Sequence, residues 1–95
     1  MRLVFSHKAE TDIEAIGDFI ARHDPVQAAR FVAALRAYCR TLRAFPEAHP
    51  RREEFGAGVR LGLHGRYLVF YVPHRGVLEI RRVIHGARDL GAGLE

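Results

Sequence analysis

The chain has 95 residues, of which 48% are hydrophobic, and its formal net charge at pH 7 is +4. This length and composition predict one small domain over residues 1–95, built on a single hydrophobic core. No apolar run is long enough to span a membrane, the N-terminus lacks the pattern of a signal peptide, and the single cysteine, Cys39, cannot form an internal disulfide. We therefore expect a cytoplasmic protein that does not enter a membrane, with Cys39 as a small buried helix residue.

Arginine supplies fourteen of the fifteen basic side chains. Its planar guanidinium recognises carboxylates and phosphates through paired hydrogen bonds, and it stacks on bases. The positive excess is mild and leans to the second half of the chain. Such a charge is compatible with nucleic acid or with an acidic protein partner and does not decide between them.

The N-terminal part predicts a short strand followed by an amphipathic helix. Residues 3–5 form the strand candidate, Ser6 is a candidate N-cap, and the helix is predicted from Lys8 to about Arg22. Its apolar residues recur three or four apart and share one face, namely Ala9, Ile13, Ile16 and Ile20. Its carboxylates lie away from that face and predict a solvated acidic side, namely Glu10, Asp12, Glu14 and Asp18.

A second helix begins with a strong start signal at residues 24–27. Asp24 is the predicted N-cap, Pro25 takes the first helical position, and Gln27 can reach back to the cap. An apolar seam then predicts about twenty helical residues that end before Pro46, with seam positions Phe31, Leu35, Tyr38, Leu42 and Phe45. Since only two or three residues join the two helices, we expect an antiparallel helix hairpin, followed by a loop over residues 46–58.

The stretch 59–89 predicts three consecutive antiparallel strands, separated by turns at residues 64–65 and 73–76. Alternation places Val59, Leu61 and Leu63 toward the core and Arg60 away from it. Residues 67–72 are apolar on both faces, which favours a central strand. The alternation slips at Arg82, where we expect a β-bulge; the alternative is that Arg82 is directed at a functional site.

Together these elements predict an α+β fold of order β-α-α-β-β-β, in which the antiparallel helix hairpin packs on one face of a small antiparallel sheet. The glycine-rich residues 86–95 are predicted to be an extended, flexible tail.

The residue pattern offers little conventional chemistry. There is no phosphate-binding glycine loop, no carboxylate pair in a plausible cleft, and no helical pair of histidines, so we expect neither a metal nor a cofactor. The remaining candidates are Arg60, Tyr71, Arg81, Arg82, His85 and Arg88. If Arg60 and Arg81 shared the uncovered sheet face with His85 at its rim, they could hold a phosphate and move a proton, as in RNA cleavage. The residues alone favour the alternative, that these are ordinary solvated side chains.

The whole pattern resembles the ParE/RelE toxin superfamily. The opening VFSHKAETDIEAIGDFI is similar to the start of these proteins, and LRAFP at residues 42–46 is similar to the end of their second helix. GVR at 58–60, YLVFY at 67–71 and above all RVIHGARD at 82–89 resemble the ParE branch.

This resemblance implies the toxin of a type II toxin–antitoxin system, neutralised by a ParD-like antitoxin in a higher-order hetero-oligomer. ParE-like toxins inhibit DNA gyrase by binding, whereas RelE-like toxins cleave mRNA on the ribosome. Arg60 and Arg88 match arginines that RelE-like toxins use, and His85 could supply a proton. The late tyrosine of RelE-like toxins has no counterpart after Tyr71, so gyrase inhibition is the main hypothesis and ribosome-dependent mRNA cleavage the alternative. A toxin fold that binds antitoxin but has lost its activity is a third possibility.

For partner binding, we expect the antitoxin to contact the helix hairpin and a sheet edge. Phe19 and Val32 lie off the main apolar seams and are the candidate apolar contacts. Acidic antitoxin side chains could pair with Arg60, Arg81 or Arg82.

Overall fold

The computed structural model describes residues 1–89 and confirms the predicted α+β order. The strands and helices are β1 (Arg2–Phe5), α1 (His7–Ala21), α2 (Pro25–Thr41), β2 (Arg60–His64), β3 (Tyr67–His74), β4 (Val77–His85) and a helical turn α3 (Gly86–Asp89), with a 3₁₀ turn at Glu53–Phe55. The helical turn occupies the first part of the tail that was predicted to be extended. The rest of that predicted tail, residues 90–95, lies outside the described residues.

Both helices of the hairpin begin at the predicted caps. The Ser6 hydroxyl accepts the Ala9 N–H at 3.0 Å, and the Asp24 carboxylate accepts the Gln27 N–H at 3.1 Å. These bonds satisfy backbone donors that have no partner within the first helical turn.

The second helix ends earlier than predicted, at Thr41. Beyond it, the Arg43 and Ala44 N–H groups bond to carbonyls three residues back instead of four. This tighter winding rotates the following residues out of the helical phase. Phe45, predicted as the last seam position, is therefore 76% exposed.

The four strands form one sheet in the order β1-β4-β3-β2. Central β3 is antiparallel to both neighbours, as predicted, and β1 adds to the far edge parallel to β4. The β3–β4 hairpin turns at two residues with positive φ, Arg75 (49°) and Gly76 (81°). Two such residues give the left-handed turn that matches the twist of a two-stranded ribbon.

A β-bulge confirms the predicted irregularity near Arg82. Phe70 pairs with Arg82 while Tyr71 pairs with Ile80, so Arg81 is the extra residue in β4. The bulge resets the alternation, which lets Ile80 and Val83 face the same side although they are three residues apart.

The two sheet faces have different partners. We call the face toward the helices the inner face; it packs Val69, Tyr71, Leu78, Ile80 and Val83 against α1 and α2. The opposite, outer face carries a smaller cluster, formed by Val59, Phe70 and Ile84 with Phe55, Leu61, Leu68 and Val72 around them. The 3₁₀ turn brings Phe55 edge-on to Phe70 at 5.0 Å between ring centres, so the outer face is only partly covered.

The predicted facing of β2 is wrong. Arg60 lies opposite Tyr71 and Gly62 opposite Val69, both inner-face residues. Gly62 belongs there because a Cβ at this position would lie 2.4 Å from the Tyr38 hydroxyl of α2. The Tyr38 hydroxyl also accepts the Leu63 N–H at 3.0 Å. Val59 and Leu61, predicted to face the main core, instead cover the outer face.

Candidate functional site

Arg60 is a structural residue of the inner face. One guanidinium nitrogen, Nη1, donates to the backbone carbonyls of Glu47 and His49 at 3.2 and 2.6 Å. Beside it the Tyr71 hydroxyl donates to the Pro46 carbonyl at 3.0 Å, and burial raises the pKa of Tyr71. These bonds fasten the chain after α2 over the end of the sheet. Arg60 is therefore not directed at solvent, contrary to the prediction.

Arg60 and His85 are not brought together. Arg60 lies opposite Tyr71 on β3, whereas His85 lies opposite Tyr67. These two partners are four positions apart on β3, or about 13 Å at the usual rise of about 3.3 Å per residue. Arg81 also differs from Arg60, because the bulge leaves it exposed in β4 while Arg60 lies on the inner face. The phosphate site predicted from Arg60, Arg81 and His85 is therefore not formed.

His85 and Arg88 do lie close together, at the end of β4. The Arg88 N–H donates to His85 Nδ1 at 3.0 Å, so the neutral ring carries its proton on Nε2. The His85 N–H donates to the Asp89 carboxylate at 3.0 Å, and this bond is the main reason that the pKa of Asp89 is lowered. The helical turn α3 is thus held to the strand by two bonds at one histidine.

A pocket of about 440 Å³ opens beside His85. Phe19 lines it and is 41% exposed, as its predicted surface position requires. The Arg88 and Arg22 guanidinium groups lie 4.9 and 5.7 Å from the Phe19 ring centre. Tyr67 lines the pocket as well and contacts His85 edge-on at 5.3 Å between ring centres. Phe19, His85 and Arg88 therefore share one surface, which Arg60 does not reach.

Val32 is not the exposed position that was predicted. It is half-buried and packs against the main core, because Gly17 lets α1 approach it closely. A groove of about 500 Å³ runs between α1 and α2 at this point, and we call it the hairpin groove. Its charged lining residues are Glu10, Glu14, Asp18 and Arg36.

Arg82 is held by Asp12, a residue that was predicted to be solvated. The Asp12 carboxylate accepts Arg82 Nε at 2.8 Å, Arg82 Nη2 at 3.0 Å and the Val83 N–H at 2.9 Å. The side-chain hydrogen bonding between Arg82 and Asp12 is the main cause of the raised pKa of Arg82. Since β1 pairs only with residues 77–80 of β4, Asp12 takes the place of a strand along the next part of that edge.

Two adjoining clefts on the outer face form a second groove, which we call the outer groove. One has a volume of about 430 Å³ and is lined by Ser6, His7, Lys8, Phe55, Val59, Phe70, Arg81 and Arg82. The other, of about 530 Å³, is lined by Val4, Ala57, Val72, His74, Arg75, Val77, Glu79 and Arg81. Exposed Arg81, paired with Glu79 on the same strand, lines both clefts and joins them.

The remaining predicted features concern Cys39, metals and membranes. Cys39 is fully buried in the main core, as predicted, and burial raises the pKa of its thiol to about 11. Within residues 1–89, no group of three or more histidine, cysteine, aspartate or glutamate side chains could hold a metal ion. In the same part of the chain, no helix has both the length and the apolar character needed to cross a bilayer.

Comparison with known proteins agrees with this architecture. The family model described as "ParE toxin of type II toxin-antitoxin system, parDE" matches residues 3–90. The chain belongs to the ParE toxin family. Its fold is similar to that of a solved chain from the "Chromosomal ParDE TA system from P. aeruginosa", with a TM-score of 0.76 and 20% sequence identity over 90% of this chain and 95% of that one. No curated protein matches significantly.

In this ParE-family chain, sequence analysis named Arg81 and Arg82 of the outer groove as candidate antitoxin contacts but missed the rest of the groove's lining. Lys8 was placed only as the start of α1, and Arg75 only as part of a turn. The groove exists because the bulge, the loop after α2 and the start of α1 meet over the sheet. No local spacing of residues in the sequence indicates that these three segments lie next to one another.

Proposed function

We propose that this chain is the toxin of a ParDE pair that inhibits DNA gyrase by binding it, and that a ParD-like antitoxin neutralises it. The match to the ParE toxin family over residues 3–90 carries this proposal. Because gyrase acts on chromosomal DNA, the proposed place of action is the cytoplasm, and the expected consequence is growth inhibition. We further propose that toxin and antitoxin form a higher-order hetero-oligomer.

The arrangement of the charged side chains favours binding over chemistry. A nuclease of the alternative kind would need phosphate-holding arginines and a proton-transferring group around one reacting atom. Here Arg60 is committed to two backbone carbonyls about 13 Å along the sheet from the position opposite His85. Among Arg60, His85 and Arg88, it is His85 and Arg88 that are neighbours, and the hydrogen bond between them joins α3 to β4.

The proposal is tested by a gyrase supercoiling assay with the purified chain, run beside an in vitro translation assay. We expect supercoiling to be inhibited while translation continues, and addition of the antitoxin to restore supercoiling. Blocked translation with unaffected gyrase would contradict the proposal and support mRNA cleavage, which His85→Ala would then abolish. If neither assay responded while antitoxin still bound, gyrase inhibition would be excluded and an inactive toxin fold would be supported.

A further inference from the structure

The β3–β4 turn holds an arginine in a backbone conformation that arginine rarely adopts. Arg75 has a φ of 49° and Gly76 a φ of 81°, and within residues 1–89 Arg75 is the one residue other than glycine with a positive φ. A two-residue turn of this kind favours asparagine or aspartate before the glycine, because their short side chains tolerate the left-handed conformation. A long side chain at this position is strained, and strained residues cluster at functional sites.

The contacts of the Arg75 side chain within the fold do not offset this strain. The side chain is exposed, and within the described part of the chain its guanidinium forms no hydrogen bond, ion pair or ring contact. By comparison, Arg36, Arg60 and Arg82 each bind a carboxylate or a carbonyl of another segment. A contact outside this part of the chain would explain why the strained position carries an arginine.

Two further basic side chains lie beside Arg75. Strand pairing places both Arg2 of β1 and His74 of β3 opposite Val77 of β4. Residues opposite one another on neighbouring strands share a sheet face, so Arg2 and His74 lie on one side, about 10 Å apart at the usual strand spacing. Arg2 is exposed and, like Arg75, has no ion pair among the described residues. We call Arg2, His74 and Arg75 the basic tip; neither β1 nor the turn carries a carboxylate.

We propose that the basic tip binds the phosphate backbone of the DNA held by gyrase, with the guanidinium groups of Arg2 and Arg75 on phosphate oxygens. This inference rests on the proposed inhibition of gyrase and adds the DNA to the surfaces that the toxin contacts. Guanidinium groups donate paired hydrogen bonds to phosphates, and duplex DNA presents a dense row of phosphates along each strand. Glu79, which lines the same cleft as Arg75, is already paired with Arg81.

The composition of the turn favours DNA over an acidic surface of gyrase itself. Protein interfaces gain much of their affinity from buried aromatic and aliphatic side chains, whereas binding to phosphates does not need them. Residues 74–76 carry no large apolar side chain, although Met1 is exposed beside Arg2. The other exposed large apolar side chains lie elsewhere in the described chain, namely Phe19, Val26, Phe45 and Leu63.

The test measures by isothermal titration calorimetry the affinity of the full chain for purified gyrase, with and without bound linear duplex DNA. The main variant is Arg75→Asn, because asparagine suits the left-handed turn. We expect its midpoint of thermal unfolding to rise by about 4 °C. Its affinity for the gyrase–DNA complex should fall about tenfold, and its affinity for gyrase alone should not change. Weaker binding by a more stable chain separates a contact from a folding defect.

Control variants separate the tip from a general charge effect. Arg75→Lys keeps both the charge and the strain, so its unfolding midpoint should match that of the parent chain, with an intermediate loss of affinity. Arg2→Gln should weaken binding to the gyrase–DNA complex without raising the unfolding midpoint. Arg30→Gln removes one charge at an exposed position of α2 and should bind within about threefold of the parent chain. The slope of log affinity against log salt should fall by about one in Arg75→Asn.

Parent-like affinity of Arg75→Asn for the gyrase–DNA complex would overturn the inference. Equal losses of affinity with and without DNA would overturn it as well, because the tip would then contact gyrase itself. Both outcomes would leave gyrase inhibition standing. If the parent chain bound gyrase in neither form, gyrase inhibition would be contradicted, and DNA binding by the tip would be contradicted with it.

Discussion

The inner and outer faces of the sheet differ in how completely the chain covers them. On the inner face two helices bury a continuous core, and the loop after α2 is fastened over its end by Arg60 and Tyr71. On the outer face a smaller cluster is covered by one short turn carrying Phe55, beside an open groove. Local stability follows buried apolar contact and satisfied hydrogen bonds. The inner face is thus suited to holding the fold, and the outer face to meeting a partner.

Two arginines illustrate the difference. Arg60 of the inner face is half-buried and donates to backbone carbonyls, whereas Arg81 of the outer face is exposed and lines both clefts. Arginine is common throughout this chain, so residue type alone does not separate a structural arginine from one available for binding. The sheet face on which each arginine lies does distinguish the two roles, and substitutions can test this distinction.

The largest effect on the free energy of unfolding is expected at Asp12, whose hydrogen bonds join α1 to the edge of β4. Asp12→Ala removes two hydrogen bonds to the Arg82 guanidinium and one to the Val83 N–H. It leaves a partly buried charge and an edge N–H without this carboxylate, so we expect a loss of about 2–3 kcal/mol in the free energy of unfolding. Chemical denaturation at pH 7 measures it.

The control is Asp18→Ala on the same helix, an exposed position where the change should be within about 0.5 kcal/mol. The double variant Asp12→Ala/Arg82→Ala should lose less stability than the sum of the losses of the two single variants, because the pair is removed together. Equal losses at Asp12 and Asp18 would show that the helix–strand fastening contributes nothing.

The elements that sequence analysis predicted correctly are those set by local physics. The caps at Ser6 and Asp24, a turn within residues 73–76 and the slip at Arg82 each depend on residues a few positions apart, and all appear in the structure, with the turn itself limited to Arg75 and Gly76. Apart from the early end of α2, the predictions that failed depend on contacts between residues far apart in the chain. Asp12 was predicted to be solvated because its partner lies seventy residues away in the chain.

The prediction of which β2 side chains face the main core was also wrong because it depends on contacts with distant parts of the chain. Leu61 and Leu63 alternate with smaller or polar residues, which normally places the leucines in the core. In this chain Tyr38 fills the space beneath Gly62, and Arg60 reaches carbonyls beyond the end of α2. A second apolar cluster on the outer face then receives Leu61. The alternation correctly predicted that β2 has two different faces, but tertiary packing decides which of them contacts the helices.

An intermediate effect is expected at Arg60. Arg60→Ala removes charged hydrogen bonds to the Glu47 and His49 carbonyls, so we expect a loss of about 1–2 kcal/mol in the free energy of unfolding. Gyrase inhibition, measured well below the unfolding temperature, should be retained. Arg60→Lys keeps the charge without the planar fork and should recover only part of the stability. Parent-like stability combined with lost inhibition would instead make Arg60 a contact residue and break the contrast with Arg81.

The smallest expected effect is a dependence of the free energy of unfolding on pH, caused by Cys39 in the main core. Burial raises the pKa of the Cys39 thiol to about 11, above its value of about 8.5 in an unfolded chain. As pH rises, the unfolded state therefore loses its proton first, and stability present below about pH 8.5 declines until about pH 11. By pH 9 the free energy of unfolding should fall by about 1 kcal/mol from this thiol.

Denaturation at several pH values between 7 and 9, under reducing conditions, measures this decline before the buried tyrosines contribute. Burial raises the pKa values of both Tyr38 and Tyr71, so they remain protonated throughout this range. Cys39→Ala lacks the titrating thiol, and its stability, although lower at every pH because of the lost packing, should change less between pH 7 and 9. Parallel curves for the two proteins would mean that the thiol at Cys39 ionises as easily in the folded chain as in water, and that the inner core is open to solvent at this point.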